Sequence, residues 1–339
     1  MRAWQIPPGC TSIDGLALIE TQRPEPGPGE ALIRIRAYSL NYRDQLIPSG
    51  HYFGGPVAVA GTPLSDGAGT IEALGAGVDG FAIGDRVAGA FFQGWRDGPP
   101  TPQFGAALGA PPASGMLADY VILPATGLVR LAESLSFEEA ATLPCAGVTA
   151  WNALMCGARP LRSGDSILLI GTGGVSLLAF QIARAAGARV IATSSSDDKL
   201  ARLRAMGADA VINYRSEPNW GARAAELAGG GIDHVVEVGG PGTLAQSMQA
   251  VGFGGEIALI GVLAMQGDTN PMPLVVKGAS LRGIFVGSIR MAQDLNAFVD
   301  KHGLKPTIDR LFDFGDARAA YAYQASPDLF GKVVITGAR

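Results

Sequence analysis

The stretch Ile167-Leu168-Leu169-Ile170-Gly171-Thr172-Gly173-Gly174-Val175-Ser176 constrains this chain more than any other. A compact apolar run enters a glycine turn, and an apolar-periodic segment, Val175 to Ala186, leaves it. Gly171 permits a tight turn, and Gly173 lets a charged group approach the backbone. The amides that open the helix then face that charge. Ser176 stands where the commonest form of this pattern has a third glycine. Serine is small, so the helix can still pack close to the strand. Taken alone, the motif also admits a glycine-rich strand–helix connection serving another ligand.

The pattern around it repeats. Arg189 to Thr193, Ala210 to Asn213, His234 to Val238 and Glu256 to Ile260 read as strands. Helices over Asp197 to Met206 and Thr243 to Ala250 fall between them. This alternation predicts an α/β, doubly wound parallel sheet with helical crossovers. The first 120 or so residues read differently, as short strands between turns: Gly15 to Glu20, Glu30 to Leu40, Gly67 to Leu74, Arg86 to Ala90 and Ala118 to Leu123. Ser136, followed by Glu138 and Glu139, marks a helix start. Thr149 to Cys156 continues helical after the Pro144 interruption, and Lys332 to Thr336 forms a last strand returning to the first domain. The expected division is 1–125 completed by 300–339, with a dinucleotide-binding domain over 126–299.

The second strand of the α/β region ends in Thr193-Ser194-Ser195-Ser196, about 20 residues past the first glycine, where NAD-binding domains place an acid on the ribose hydroxyls. Hydroxyls there, with Lys199 nearby and Arg215 on the next loop, favour a 2′-phosphate and hence NADP(H), with NAD(H) the alternative. Asp197 and Asp198 read as first-turn helix charges. The 26 basic and 30 acidic side chains give no support for a nucleic-acid partner. Three cysteines, Cys10, Cys145 and Cys156, make neither a disulfide framework nor a CxxC pair. With no secretory core in MRAWQIPPG and no apolar run long enough to span a membrane, a cytoplasmic enzyme is expected, with no membrane partner.

Motifs in a fixed order extend over almost the full chain: Ser39-Leu40-Asn41-Tyr42-Arg43-Asp44, Gly67-Ala68-Gly69-Thr70-Ile71 with Gly84-Asp85-Arg86-Val87, Leu143-Pro144-Cys145-Ala146-Gly147-Val148-Thr149-Ala150, Val286-Gly287-Ser288 and Gly331-Lys332-Val333-Val334. In this order the sequence resembles the medium-chain dehydrogenase/reductase superfamily, especially its zinc-independent quinone-oxidoreductase-like and alcohol-dehydrogenase-like members. The resemblance implies an N-terminal GroES-like β domain, an inserted Rossmann domain, a substrate cleft between them, hydride transfer with a nicotinamide, and a homodimer. Zinc-binding relatives hold the metal at positions that match Asn41, Ser65 and Cys145 here, with an acid near Asp66. Only Cys145 is a ligand type, and the segment Phe91 to Met116 has no cysteine for a structural zinc lobe. No metal is expected.

Without a metal, the substrate must delocalise the electron pair that arrives with hydride, as a quinone, enone or activated carbonyl does. Asn41, Tyr42, Asp44 and Tyr52 are the catalytic candidates: Asn41 as a donor to oxygen, Tyr52 as a substrate contact or a proton source, and Asp44 as a partner of Arg43 or a ribose. His51, Phe53 and Phe91 are substrate-side candidates. The resemblance places Thr149, Gly171, Gly173, Gly174 and Val175 around pyrophosphate and nicotinamide. Ser195, Ser196, Lys199 and Tyr214 are candidates for the adenosine end, and Gly239, Gly261 and Val262 for the carboxyl edge of the sheet. Val286 and Ser288 are read near the nicotinamide amide or a dimer edge, and Lys332 as a cofactor contact. Two alternatives stay open at this level: an alcohol dehydrogenase or aldehyde reductase with a metal-free site, and a nicotinamide-binding protein without catalysis.

Overall fold

The computed structural model describes residues 1–53, 55–261 and 269–337. Its strands are β1 (Arg2–Gln5), β2 (Ala17–Glu20), β3 (Glu30–Ser39), β4 (Asp66–Leu74), β5 (Arg86–Gly89), β6 (Tyr120–Pro124), β7 (Leu128–Arg130) and β8 (Ser166–Ile170). They continue with β9 (Arg189–Ser194), β10 (Ala210–Asn213), β11 (Ile232–Glu237), β12 (Val251–Leu259), β13 (Ser280–Gly283), β14 (Ile308–Asp313) and β15 (Lys332–Thr336). The helices are α1 (Tyr42–Leu46), α2 (Phe137–Ala140), α3 (Val148–Met155), α4 (Gly174–Ala185) and α5 (Asp197–Ala205). Then come α6 (Trp220–Ala228), α7 (Pro241–Ala250), α8 (Met272–Lys277), α9 (Ile289–His302) and α10 (Ala317–Gln324). Among the described residues, no helix is long and apolar enough to cross a membrane.

One unit comprises Met1–Val148 and Gly287–Arg339. Its main sheet runs β14-β15-β3-β4-β5-β7, with β6 also paired to β3, and β1 and β2 form a separate antiparallel pair. β15 lies antiparallel to β3, with Val334 opposite Ser39, and parallel to β14, so the end of the chain completes a sheet begun near its start. The core holds Tyr38, Ile33, Ile35, Ile71, Val333 and Tyr321. Trp4 Nε1 donates to the Phe314 carbonyl at 2.9 Å, a second tie across 310 residues.

This unit takes more of the chain than the division at 125 and 300 expected. β7 pairs with β5, and α9 is held to the segment after β7. Asp300 accepts from the amides of Glu133 and Ser134, and Asn296 Nδ2 donates to the Arg130 carbonyl. Ser136 caps α2 as its sequence suggests, accepting from Glu139 N while Glu139 Oε2 accepts from Ser136 N. Pro144 cannot donate to a helical ladder, and the chain passes it in a π-helical turn over Leu143–Gly147 before α3.

The other unit, Thr149–Val286, carries a six-stranded parallel sheet in the order β10-β9-β8-β11-β12-β13. All five residues of β8 are buried, as expected of a central parallel strand covered on both faces. β13 was not visible in the apolar pattern because Leu281 is its only large apolar residue; pairing with β12 makes it a strand.

Candidate functional site

In the parallel-sheet unit, β8 is flanked by β9 on one side and β11 on the other, so the chain order reverses at its carboxyl end. Such a reversal opens a crevice for a ligand. Gly171, at φ +75°, leaves β8 there, and its amide donates to the Thr193 carbonyl at 3.0 Å, which ties the turn to β9. Gly173 is the N-cap of α4 and supplies no capping side chain. A Cβ at Gly171 or Gly173 would meet nothing within 4 Å. An uncapped helix start facing open space suits a diphosphate, so the residues present fit a dinucleotide. Gly174 and Val175 open the helix, both partly exposed. Ser176, buried in the third-glycine position, donates from Oγ to the Ile170 carbonyl at 2.9 Å and so fastens α4 to the end of β8.

The next two strands end in glycines for a steric reason. A Cβ on Gly239 would lie 2.2 Å from Thr243 Oγ1, and one on Gly261 would lie 2.1 Å from the Val238 carbonyl. Glu237, which sequence reasoning passed over, is fully buried beside them. Its Oε1 accepts from the amides of Gly239 and Gly240 at 2.7 and 3.0 Å and from Thr243 Oγ1, and Oε2 accepts from Ser247 Oγ. An acid inside the apolar run Val235-Val236-Glu237-Val238 was the available signal. Val262 lies outside the described residues.

At the adenosine-side candidates, β9 ends in buried Ser194, and its neighbours Ser195 and Ser196 are partly exposed. Ser196 caps α5, accepting from Lys199 N, and Asp197 accepts from Asn213 Nδ2 at 2.8 Å. The Tyr214 amide donates to the Ser194 carbonyl at 3.1 Å, which brings exposed Tyr214 and Arg215 to the same edge. Thr149 is buried near the start of α3. Val286 adopts φ +55°, a strained state for a β-branched residue, and its carbonyl accepts from Asn152 Nδ2 at 2.7 Å.

The other unit concentrates polar groups in its interior. Asn41, Asp44, Ser65, Asp66 and Lys332 are all buried. Leu64, just before Ser65, takes φ +68°, which backbone strain rarely permits outside glycine. Asp44 Oδ2 accepts from the Asn41 backbone amide at 2.7 Å, and Oδ1 lies 3.7 Å from Arg43 Nη1. Burial pushes the Asp44 carboxyl up to about 6, against the pull of Arg43 and the Asn41 amide. Ser65 Oγ donates to Asp66 Oδ1 at 2.7 Å, Cys145 N donates to Asp66 Oδ2 at 3.3 Å, and Asn41 Nδ2 reaches Ser65 Oγ at 3.4 Å. Lys332 Nζ donates to the Leu40 carbonyl and to Asn41 Oδ1, each at 2.6 Å. Lys332, expected among cofactor contacts, therefore spends these two hydrogen bonds inside this cluster.

The flanking candidates divide. Arg43 donates to the Leu108 carbonyl at 2.7 Å, with its guanidinium 5.0 Å from the Tyr52 ring centroid and 4.8 Å from that of Phe91. Phe91 is buried and Tyr52 partly so; Tyr42, His51 and Phe53 are exposed. Ser288 accepts from Met291 N as the N-cap of α9.

The positions matching zinc ligands do meet, but their chemistry does not suit the metal. Cys145 is the only thiol among them, and a single cysteine cannot close a zinc shell. The other two positions offer an amide and a hydroxyl, and an ammonium bonds to the amide. Among the described residues, no three His, Cys, Asp or Glu side chains are grouped to hold a metal.

Residues 27–133 match the alcohol dehydrogenase GroES-like domain, and residues 174–301 match the zinc-binding dehydrogenase domain. The latter span contains none of Asn41, Ser65 and Cys145. A zinc-type alcohol dehydrogenase-like protein of Schizosaccharomyces pombe is 44% identical over 318 residues, covering 91% of each chain. The chain belongs to the medium-chain dehydrogenase/reductase superfamily. Within it, this oxidoreductase falls in the zinc-independent branch with alcohol-dehydrogenase-like and quinone-oxidoreductase-like members. A quinone oxidoreductase of Rattus norvegicus is 30% identical, over 88% of this chain and 86% of that one. A solved NAD-dependent alcohol dehydrogenase superposes over the full length of both chains with a TM-score of 0.88 at 32% identity. Membership makes this medium-chain dehydrogenase/reductase an NAD(P)H-dependent enzyme, with a GroES-like domain and a Rossmann domain.

Proposed function

We propose that this enzyme prefers NADP(H) and reduces a quinone, enone or activated carbonyl without a metal. The observation that carries the reading is the buried cluster of Asn41, Ser65, Asp66 and Lys332, an amide held by an ammonium where relatives hold zinc. The nicotinamide, when bound, supplies the hydride. The chain binds its diphosphate on the amides after Gly171 and Gly173, and Ser195, Ser196, Lys199, Tyr214 and Arg215 receive the adenosine 2′-phosphate. Asn41 Nδ2 donates to the substrate oxygen as negative charge develops there. Tyr52 provides the proton, directly or through one water, and Phe91 and Phe53 line the substrate side. Asp44 serves as an anchor for the Asn41 backbone rather than as a base, since one of its oxygens is already committed to that amide.

Alcohol–aldehyde interconversion at the same metal-free site is the second reading, supported by the similarity to an NAD-dependent alcohol dehydrogenase. Purified enzyme is assayed with NADPH and NADH against quinones, enones, aldehydes and alcohols, before and after exhaustive chelation. The first reading requires NADPH-dependent reduction of a quinone or enone that chelation leaves unchanged. Turnover confined to alcohols or aldehydes favours the second, and activity lost on chelation and restored by zinc refutes both.

A homodimer is part of the proposal. β13 forms an edge of the sheet, with Leu281 and Phe285 exposed and Val275 and Val276 exposed on α8. A monomeric mass by light scattering refutes it. Three free cysteines support a reducing, cytoplasmic setting.

A further inference from the structure

We infer that Lys332 is a positioning residue that fixes which face of the Asn41 amide meets the substrate, an inference that rests on the proposed role of Asn41. An asparagine amide offers an acceptor at one end and two donors at the other, and its two flips have nearly the same shape. An ammonium has donors only, so it can bond to Oδ1 and never to the NH2 group. Lys332 Nζ sits 2.6 Å from Asn41 Oδ1, which selects the flip with Nδ2 directed at Ser65. The contact from Nδ2 to Ser65 Oγ is long, 3.4 Å, and Ser65 has already given its hydroxyl hydrogen to Asp66. An oxygen entering beside the two side chains replaces that contact at little cost.

The sheet explains why the lysine can hold this position. β15 pairs with β3 so that Val334 faces Ser39, and continuing the same register sets Lys332 opposite Asn41. The Leu40 amide donates to the Val333 carbonyl at 3.1 Å, and Lys332 donates to the Leu40 carbonyl at 2.6 Å, so backbone bonds surround the clamp. The other end of Asn41 is held by Asp44, through its backbone amide. Lys332 therefore acts on the reaction through Asn41 and not by touching the substrate.

The test uses the full chain with NADPH and an α,β-unsaturated ketone or a benzoquinone. Asn41→Asp keeps the shape and gives Lys332 a carboxylate partner, but removes the donor. It is expected to lower kcat about 10²-fold, the usual cost of one oxyanion donor, with cofactor Kd within threefold of wild type. Lys332→Met should cost about the same through a misplaced Asn41, and Lys332→Arg, again a pure donor, should recover most of that loss. The double variant Asn41→Asp/Lys332→Met should fall no further than either alone, because the two residues act as one unit. Wild-type kcat in Asn41→Asp, or in a Lys332→Met protein that keeps its Tm, overturns the inference. So does an arginine variant no better than methionine.

A second readout does not depend on turnover. With 15N-asparagine labelling, the Asn41 side-chain NH2 should give two distinct, slowly exchanging protons in wild type and in Lys332→Arg. In Lys332→Met both should exchange faster and shift toward the solvent-like positions. An unchanged signal in Lys332→Met overturns the inference. A wild type that turns over no substrate but shows the expected change refutes the proposed activity and leaves the clamp standing.

Discussion

A diphosphate arriving at Gly171 and Gly173 would meet backbone amides and no side chain in its way, whereas a substrate oxygen arriving at Asn41 would meet side chains whose partners lie up to 291 residues away in the chain. On the proposed reading, the first region recognises its ligand by the absence of Cβ atoms, and the second acts through buried polar groups that satisfy one another. A backbone cradle tolerates change around it as long as the turn keeps its shape. An interlocked cluster is sensitive to each member, because removing one leaves a buried group without a partner.

The largest effect separates two kinds of glycine within the cofactor region. Gly261→Ala drives a methyl to 2.1 Å from the Val238 carbonyl, and neither backbone can yield without breaking the ends of β11 and β12. The expected loss is about 3–5 kcal/mol of unfolding free energy, read by denaturant melts. Gly173→Ala, by contrast, sits at φ −79° in open space, so its stability should stay within about 0.5 kcal/mol of wild type. Its cofactor Kd should nevertheless rise, since the added methyl would project into the proposed diphosphate site. Equal destabilisation by the two substitutions would erase the distinction between a structural and a binding glycine.

The same contrast between local and long-range bonds decides what the sequence reveals. The strand–turn–helix at Ile167 to Ser176 was legible because every part of it is local, as was the Ser136 cap with its glutamate three residues on. The polar cluster was legible only as a set of residue types. Asn41, Asp44 and Ser65 could be singled out, but the bond from Lys332 to Asn41 depends on β15 returning to β3, which spacing does not encode. Leu64 and Val286 hide their positive φ for a similar reason: sequence marks left-handed backbone by glycine, and here tertiary packing holds the strain. β13 escaped because an edge strand with one large apolar residue has no periodic signature.

The next effect probes the interlocked region through pH. Burial raises the Asp44 carboxyl from 3.8 to about 6, with Arg43, the Asn41 amide and Lys332 opposing the rise and Asp66 adding to it. The folded chain thus binds this proton more tightly than the unfolded chain does. Its contribution to stability is full below 3.8 and is lost as pH rises through about 6. Asp44→Asn keeps an acceptor for the Asn41 amide but cannot ionise. Wild type should therefore lose about 2–3 kcal/mol relative to this variant between pH 3.5 and pH 7, as measured by urea melts at each pH. A pH-independent gap between the two proteins would mean that Asp44 ionises as freely as a surface carboxylate, and that the cluster is wetter than its geometry indicates.

The smallest effect returns to the cofactor region and asks whether side chains contribute there at all. The proposed diphosphate cradle would read no difference between NADP(H) and NAD(H); the proposal gives that choice to the end of β9, where Ser195 and Ser196 stand in place of an acid. Asp197 is occupied by Asn213 Nδ2 at 2.8 Å, which draws it toward the next strand. Ser195→Asp would set a carboxylate where a 2′-phosphate is expected, repelling the phosphate while offering an acceptor to the ribose hydroxyls of NAD(H). The ratio of NADPH to NADH affinity should fall about tenfold, with the binding of a shared fragment, the nicotinamide mononucleotide half, unchanged. Fluorescence titration with both cofactors and with the fragment separates the outcomes. If the ratio does not move, the serine-lined edge is not the selector. If fragment binding weakens as well, the substitution has disturbed the turn at Gly171, which the Gly171 amide joins to the end of β9 at Thr193.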